Sequence, residues 1–256
     1  MSRSHPSAPE LSRRGFLLSS GALLGSAALA GCSTTRERLP TYVEPAPRTM
    51  PADLQFGFGD YASMYAAVED EGFLVPAVPW QKIDNQFLRQ VVDDPTGQPP
   101  GTVVVNTTTH HLYLVREQGY AVRYGVGLGR AGFEWAGDGV IQWKQKWPKW
   151  TPPAEMIARD PSLAKWGVDY GGMPGGLKNP LGARAHYIFQ NGQDTLYRVH
   201  GSPEWSSIGR SVSSGCVRMM NQDAIDFYER VRNGARIQVI GPTLPSDGMG
   251  EAISLT

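Results

Sequence analysis

At 256 residues, with 41% hydrophobic and 10% aromatic content, the chain is long enough to bury the core of one medium domain plus additions. Lysine and arginine (24) balance aspartate and glutamate (24), and without the first 32 residues the count becomes 21 against 23, about two negative charges. That balance excludes the basic surface that nucleic acid selects, and five histidines without ligand spacing disfavour a metal hydrolase and imply no cofactor.

The N-terminus reads as a targeting segment. Ser12-Arg13-Arg14-Gly15-Phe16-Leu17 resembles a twin-arginine export signal, and Phe16 to Ala30 is an apolar, small-residue run. As a helix that run spans only about 22 Å, short of the roughly 30 Å hydrocarbon core, so a permanent span is not expected. Leu29-Ala30-Gly31-Cys32 looks like a lipobox in which Cys32 becomes the lipidated first residue; an ordinary signal with an incidental cysteine is the alternative. The chain is therefore expected in the periplasm or cell envelope, touching a membrane only through a lipid anchor in the outer membrane.

From Ser33 to Pro51 the residues are polar and proline-rich, a tether. Two helical patterns follow. Tyr61, Met64, Tyr65 and Val68 recur at i, i+3, i+4, i+7, and Phe87, Leu88, Val91 and Val92 follow Asp84. Glu69, Asp70 and Glu71 read as a solvated helix end. At Gly101 the texture changes to strands: Thr102 to Asn106 and His111 to Arg116 flank the polar turn Thr107 to His110, and Tyr120 to Val126 continues the pattern. His110 and His111 are adjacent, point to opposite faces of a strand, and read as exposed turn residues.

Trp143, Trp147 and Trp150 alternate with Lys144, Lys146 and Lys149, which suits core covering or one face turned to a glycan. Residues 154–180 read as an insertion with a short helix (Met156 to Trp166) and a glycine-rich loop. The loop lacks the Gly-Lys-Ser/Thr ending of a phosphate-binding loop and is expected as a lid over the cleft. Ala185 to Phe189 is a strand from which His186 or Tyr187 reaches either the cleft or the packing. Past the cysteine loop, Asn221 is expected as a helix N-cap, with Ile225, Tyr228 and Val231 on one side and Gly234 closing the helix. Arg236 to Ile240 is the last strand, and residues 242–256 read as a disordered tail.

The stretch His200 to Asn221, HGSPEWSSIGRSVSSGCVRMMN, has a reactive-site composition. A thiol with an ordinary pKa of about 8.5 is mostly protonated at neutral pH, so cysteine chemistry needs a base or a positive field nearby. His200 can be that base if the strand end and the Cys216 loop meet in space. Ser213, Ser214 and Gly215 let the backbone turn sharply and aim N–H groups at one point. Arg218 adds a fixed positive charge. With Cys32 lipidated or removed, Cys216 is the one thiol left in an oxidising compartment.

The pattern H-G, twelve residues, S-G-C-x-R, then M-x-N-x-D resembles the catalytic signature of the L,D-transpeptidases (YkuD family). Asn179-Pro180-Leu181-Gly182 and Thr151-Pro152 resemble elements of the same family. Many members carry histidine where this chain has Ser214, so a role given to that histidine does not transfer. The resemblance implies a mainly β fold with α additions: an L,D-transpeptidase-like β-sandwich, a helix after the cysteine loop and a small helical N-terminal prelude. The residues divide the chain into a signal peptide (1–32), a tether (33–51), a prelude packed on the main domain (52–100) and a tail, and the resemblance makes 101–241 the catalytic domain. It implies that Cys216 attacks a carbonyl of a peptidoglycan stem peptide and forms a thioester with loss of the terminal D-alanine. His200 then moves the proton, the Gly201 carbonyl fixes the imidazole tautomer, and the Gly215 and Cys216 amides hold the oxyanion. Arg218, Ser213, Ser214 and Tyr187 are candidate substrate contacts, and the acceptor is a stem-peptide amine or an envelope protein. A carboxypeptidase or endopeptidase using water, and a non-catalytic cell-wall-binding lipoprotein, remain as alternatives.

Overall fold

A computed structural model describes residues 48–55, 58–129, 136–213 and 216–241. The chain divides after Ala46 into two units, and the described residues all belong to the second, which begins at Pro47. The segment read as an export signal, Cys32, most of the segment read as a tether, the last 15 residues, Ser214 and Gly215 lie outside the described residues, and of Ser213 only the backbone is described.

The expected prelude helices are mostly something else. The first is a single turn, α1 (Tyr61–Met64), capped by Asp60, whose side chain accepts from Ser63 N–H. It gives way to a hairpin of β1 (Val68–Asp70) and β2 (Phe73–Val75), so Glu69 to Glu71 belong to a strand and its turn rather than to a helix end. Glu71 and Gly72 both have positive φ (53° and 85°), as a two-residue turn matched to strand twist requires. The second pattern begins as expected with Asp84 accepting from Gln86 N–H. That turn ends at Phe87, and β3 (Gln90–Asp93) follows, because the β-branched pair Val91-Val92 favours the extended chain.

The remaining strands are β4 (Val103–Asn106), β5 (His111–Val115), β6 (Tyr120–Gly125), β7 (Leu128–Gly129), β8 (Gly137–Lys146), β9 (Arg184–Gln190), β10 (Gln193–Ser202), β11 (Ser211–Ser213), β12 (Val217–Met220) and β13 (Ala235–Ile240). Nine form one sheet in the order β12-β10-β9-β8-β13-β4-β5-β6-β3. The β10/β12 and β4/β13 pairs are parallel and the other neighbours antiparallel. Residues from both halves of this sheet, among them Val103, Leu112 and Val122 on one side and Ile188, Val199 and Met219 on the other, share one buried cluster. The sheet is therefore folded over its own apolar face into two layers, the mainly β sandwich expected. One corner is closed where Gly127 and Arg218 exchange backbone hydrogen bonds of 2.9 and 2.7 Å and β7 pairs with β11.

Helix α3 (Asn221–Arg230) follows β12 directly and buries Ala224 and Phe227 in the core, joined by Val231 just past its end. The buried face is thus 224, 227 and 231; Ile225 and Tyr228 are only half-buried. Asn221 is the first helical residue rather than the cap, its Oδ1 accepting from Ala183 N–H at 2.9 Å. The helix ends at Arg230 with Val231 extended, and Gly234, at φ 83°, turns the chain into β13 instead of closing the helix. Helix α2 (Ala154–Arg159) is shorter than expected: the chain is extended at Asp160, before Pro161, and two 3-10 turns follow.

Prelude and sheet are held by buried charge. Arg184, 1% exposed, donates to both Asp70 oxygens at 2.7 Å, and Trp147 Nε1 donates to Asp70 at 2.8 Å. Arg89 lies 3.1 Å from Asp226 and 3.8 Å from the fully buried Asp223, to which Tyr65 donates at 3.2 Å. Burial, against the pull of Arg89, raises the Asp223 carboxyl to about 7.

Candidate active site

Parallel pairing of β10 with β12 sets Val199 opposite Val217 and His200 opposite Arg218. Side chains alternate along a strand. His200, Arg198 and Arg218 therefore share one face, while Val199, Val217 and Met219 go to the core. Cys216 immediately precedes β12, and its sulfur accepts from the Arg198 backbone N–H. Burial raises the Cys216 thiol, while the Arg198 N–H and the charges of Arg198 and Arg218 pull it down. The same two arginines help lower His200. Sixteen positions apart in sequence, the imidazole on β10 and the thiol just before β12 thus feel the same two arginine charges.

His200 is 4% exposed, and its Nδ1 lies 2.6 Å from the Gly201 carbonyl. A carbonyl oxygen only accepts, so the proton resides on Nδ1 and Nε2 carries the lone pair. Burial first, then Arg218 and Arg198, push the imidazole down to about 4, against the Gly201 hydrogen bond. Cys216 is partly exposed. At neutral pH the resting pair is therefore a neutral thiol beside a neutral imidazole.

The loop between β10 and β11 is tied down at several points. Ser202 Oγ accepts from Glu204 N–H at 3.1 Å, and Arg218 donates to Glu204 at 2.8 Å. A Cβ on Gly127 would meet the Ser207 carbonyl at 2.5 Å, so glycine there lets the loop lie against the sheet corner. His110, half-buried with φ 57°, bonds Ser211 at 3.0 Å, and His111, 6% exposed, bonds the Gln86 carbonyl at 3.0 Å. Neither is the exposed turn residue expected, because β11 and the prelude cover this hairpin.

Among the other candidates, Tyr187 is on the His200 face and His186 is not. His186 is buried against Phe227 and bonded to the Val199 carbonyl. Trp147 packs on Phe73 and Trp150 pairs with Met173 through backbone bonds. Trp143 is 39% exposed. The glycine-rich loop is anchored at its base by that Trp150/Met173 bridge and by Asn179, whose Nδ2 donates to the carbonyls of Pro148, Met173 and Pro174. Among the described residues no group of three or more His, Cys, Asp or Glu side chains converges as metal ligands. Arg198 and Glu204 are not singled out by residue type or motif; strand alternation from His200 is the available signal for Arg198.

A thiol at the start of β12 and, on the strand paired with it, an imidazole whose Nε2 carries a lone pair are the equipment of nucleophilic thiol chemistry. Residues 100–239 match the model of the L,D-transpeptidase catalytic domain, and the chain belongs to that family, YkuD. It is 33% identical over 145 residues to a protein named "Probable L,D-transpeptidase ErfK/SrfK" from Escherichia coli K12, covering 54% of this chain and 43% of that protein. Similarity to "Probable L,D-transpeptidase YbiS" of the same strain is 32% over 150 residues, covering 54% and 44%. The chain thus spans less than half the length of these relatives. A crystal structure described as "a Probable carnitine operon oxidoreductase caia from Brucella melitensis" is 43% identical, covering 61% of this chain and 96% of that one, with a TM-score of 0.43. That description belongs to the Brucella protein alone.

Proposed function

We propose that this protein is a peptidoglycan L,D-transpeptidase acting through a Cys216 thioester. Cys216 Sγ attacks the carbonyl of the stem peptide's third residue while His200 Nε2 takes the thiol proton. The amide C–N bond breaks, D-alanine leaves with the proton returned by His200, and the acyl group stays on sulfur. An amine then attacks the thioester, the C–S bond breaks, and the thiol is restored. With the imidazole at about 4 and the thiol above its ordinary range, the resting pair is neutral rather than a standing ion pair.

The observation that supports this reading is that the Arg198 and Arg218 charges act on both the Cys216 thiol and the His200 imidazole, whose Nδ1 is engaged by the Gly201 carbonyl. The Gly215 and Cys216 amides serve as oxyanion donors, an effect of about 3 kcal/mol per donor elsewhere. Arg218, Ser213 and Ser214 orient the loop or a substrate carboxylate. The acceptor is a stem-peptide diamino acid or an envelope protein, and a lipid at Cys32 tethers the domain at the outer membrane. Among the described residues no helix is long and apolar enough to cross a membrane.

Purified protein incubated with tetrapeptide muropeptides tests this by product mass. A dimer linked between two diamino acids is the expected outcome; tripeptide alone means hydrolysis, and no product at all sinks the enzyme reading. A carbapenem should add one adduct to the wild type and none to Cys216→Ala.

A further inference from the structure

Two strand irregularities bracket Tyr187. In β8 the register moves from Ile141↔Ile188 to Trp143↔Tyr187, one residue extra on β8, and in β10 it moves from Asp194↔Phe189 to Arg198↔Tyr187, two extra on β10. A single-residue bulge transfers all later side chains to the opposite face, so without it Gln142 and not Trp143 would oppose Tyr187. The second irregularity has a different consequence. Residues four apart in a regular strand are separated by about 13 Å, yet Arg198 donates to both Asp194 oxygens at 2.6 and 2.7 Å. The intervening chain is looped out through Leu196, a non-glycine residue at φ 63° with 77% exposure. A backbone region that leucine rarely adopts is thus maintained where its visible effect is to bring Asp194 to Arg198.

The result is a row of direct cross-strand partners that runs across the sheet to the nucleophile. Trp143 stacks on Tyr187 with centroids 3.5 Å apart and planes 9° from parallel. The Arg198 guanidinium lies over the Tyr187 ring at 4.4 Å. Its side chain is only 13% exposed in spite of its charge. At the end of the row, the Arg198 backbone N–H donates to Cys216, which sits one residue before β12.

We propose that Trp143, Tyr187 and Asp194 are positioning residues that hold Arg198 against Cys216, so that the Arg198 charge and backbone N–H set the reactivity of the thiol. This rests on Cys216 being the nucleophile, but not on which acceptor or substrate it serves. An arginine clamped by a bidentate carboxylate and pressed on a ring keeps its charge in one place. A flexible cation at the same position would be free to swing into solvent.

The test follows the pH dependence of iodoacetamide alkylation at Cys216, read as the mass of the peptide that contains it, in the purified full chain. It needs no substrate, so it fails or succeeds independently of transpeptidation. Arg198→Gln should move the alkylation midpoint up by about one pH unit, roughly tenfold slower labelling at pH 7. Asp194→Asn, a partly exposed change that leaves every strand pair intact, should shift it the same way by less. Tyr187→Ala should do likewise, and Tyr187→Phe, which keeps the ring, should restore the wild-type midpoint. Circular dichroism identifies any variant that has unfolded, and Asp194→Asn carries the test if Arg198→Gln does. Wild-type midpoints in folded Arg198→Gln or in Asp194→Asn overturn the proposal.

Discussion

Asn221 accepts the Ala183 backbone N–H at 2.9 Å and in doing so fills the space where a side chain at position 201 would begin. A Cβ on Gly201 would lie 2.3 Å from Asn221 Oδ1, and a Cβ on Gly182, at φ 60°, would meet the same oxygen at 2.3 Å. The start of β9, the end of β10 and the first turn of α3 therefore converge with no spare volume, one residue from the imidazole. Gly201→Ala must displace Asn221 or move the carbonyl that holds His200 Nδ1. We expect it to cost about 2 kcal/mol of stability and most of the turnover. Asn221→Ala leaves a buried N–H unpaired, at about 1–2 kcal/mol. Because both changes act on one space, the double variant should lose less than the sum in urea unfolding. Strictly additive costs would mean that the two positions do not compete.

A neutral imidazole at about 4 predicts an unusual acid limb. If His200 acts as base, kcat/KM for stem-peptide substrate should hold down to about pH 5 and fall with a midpoint near 4, rather than near the ordinary 6.5. On the alkaline side no loss is expected until the thiol itself ionises. Initial rates between pH 3.5 and 9, taken only where circular dichroism is unchanged, decide the matter. A limb centred on 6.5 would place a different, solvated histidine in the base role.

Stability should fall toward acid for a related reason. Burial holds His186 at about 3 and His200 at about 4, so both are neutral in the fold and protonated when unfolded below 6.5. Each contributes stability that is present above 6.5 and lost as pH falls toward its folded value. Asp223 has the opposite sign: raised to about 7, it is protonated in the fold and ionised when unfolded above about 4, so its contribution declines as pH rises through that window. Between pH 4 and 6.5 these three leave the unfolded chain with one more bound proton, a slope of about 1.4 kcal/mol per pH unit. Removing the opposing group with Asp223→Asn should steepen the slope by about the same amount. Urea midpoints across this range measure it, and an unchanged slope would mean Asp223 stays ionised beside Arg89.

The site was legible where chemistry and spacing coincide. His200-Gly201, Cys216 and Arg218 announce themselves by residue type, and the strands at 103–106, 111–115 and 120–125 by short runs containing valine and tyrosine between polar turns. The prelude was less legible for a physical reason: Phe87, Leu88, Val91 and Val92 have helical spacing around Arg89 and Gln90, and only pairing with β6 decides for a strand. Asn221 reads as a cap by type, but tertiary demand from Ala183 N–H takes its side chain elsewhere. Arg198 was hidden because its partner Asp194 becomes a neighbour only through an irregularity that no sequence period encodes.

The family match begins at residue 100, yet the folded unit begins earlier. Asp70 on β1 receives two hydrogen bonds from Arg184, whose Nε already lacks a partner, and β3 covers the edge of β6. A buried guanidinium stripped of its carboxylate costs about 3–5 kcal/mol, a large share of a typical domain's stability. Asp70→Ala should therefore lower the thermal midpoint by several degrees while leaving Cys216 and His200 untouched in sequence. A fragment of residues 100–241 loses Asp70, Arg89 and the edge strand together, and should be unfolded or aggregated where the fragment from residue 48 is monodisperse and cooperative. A cooperative melt from the shorter fragment at the same temperature would mean that the segment before residue 100 decorates the catalytic domain rather than completing it.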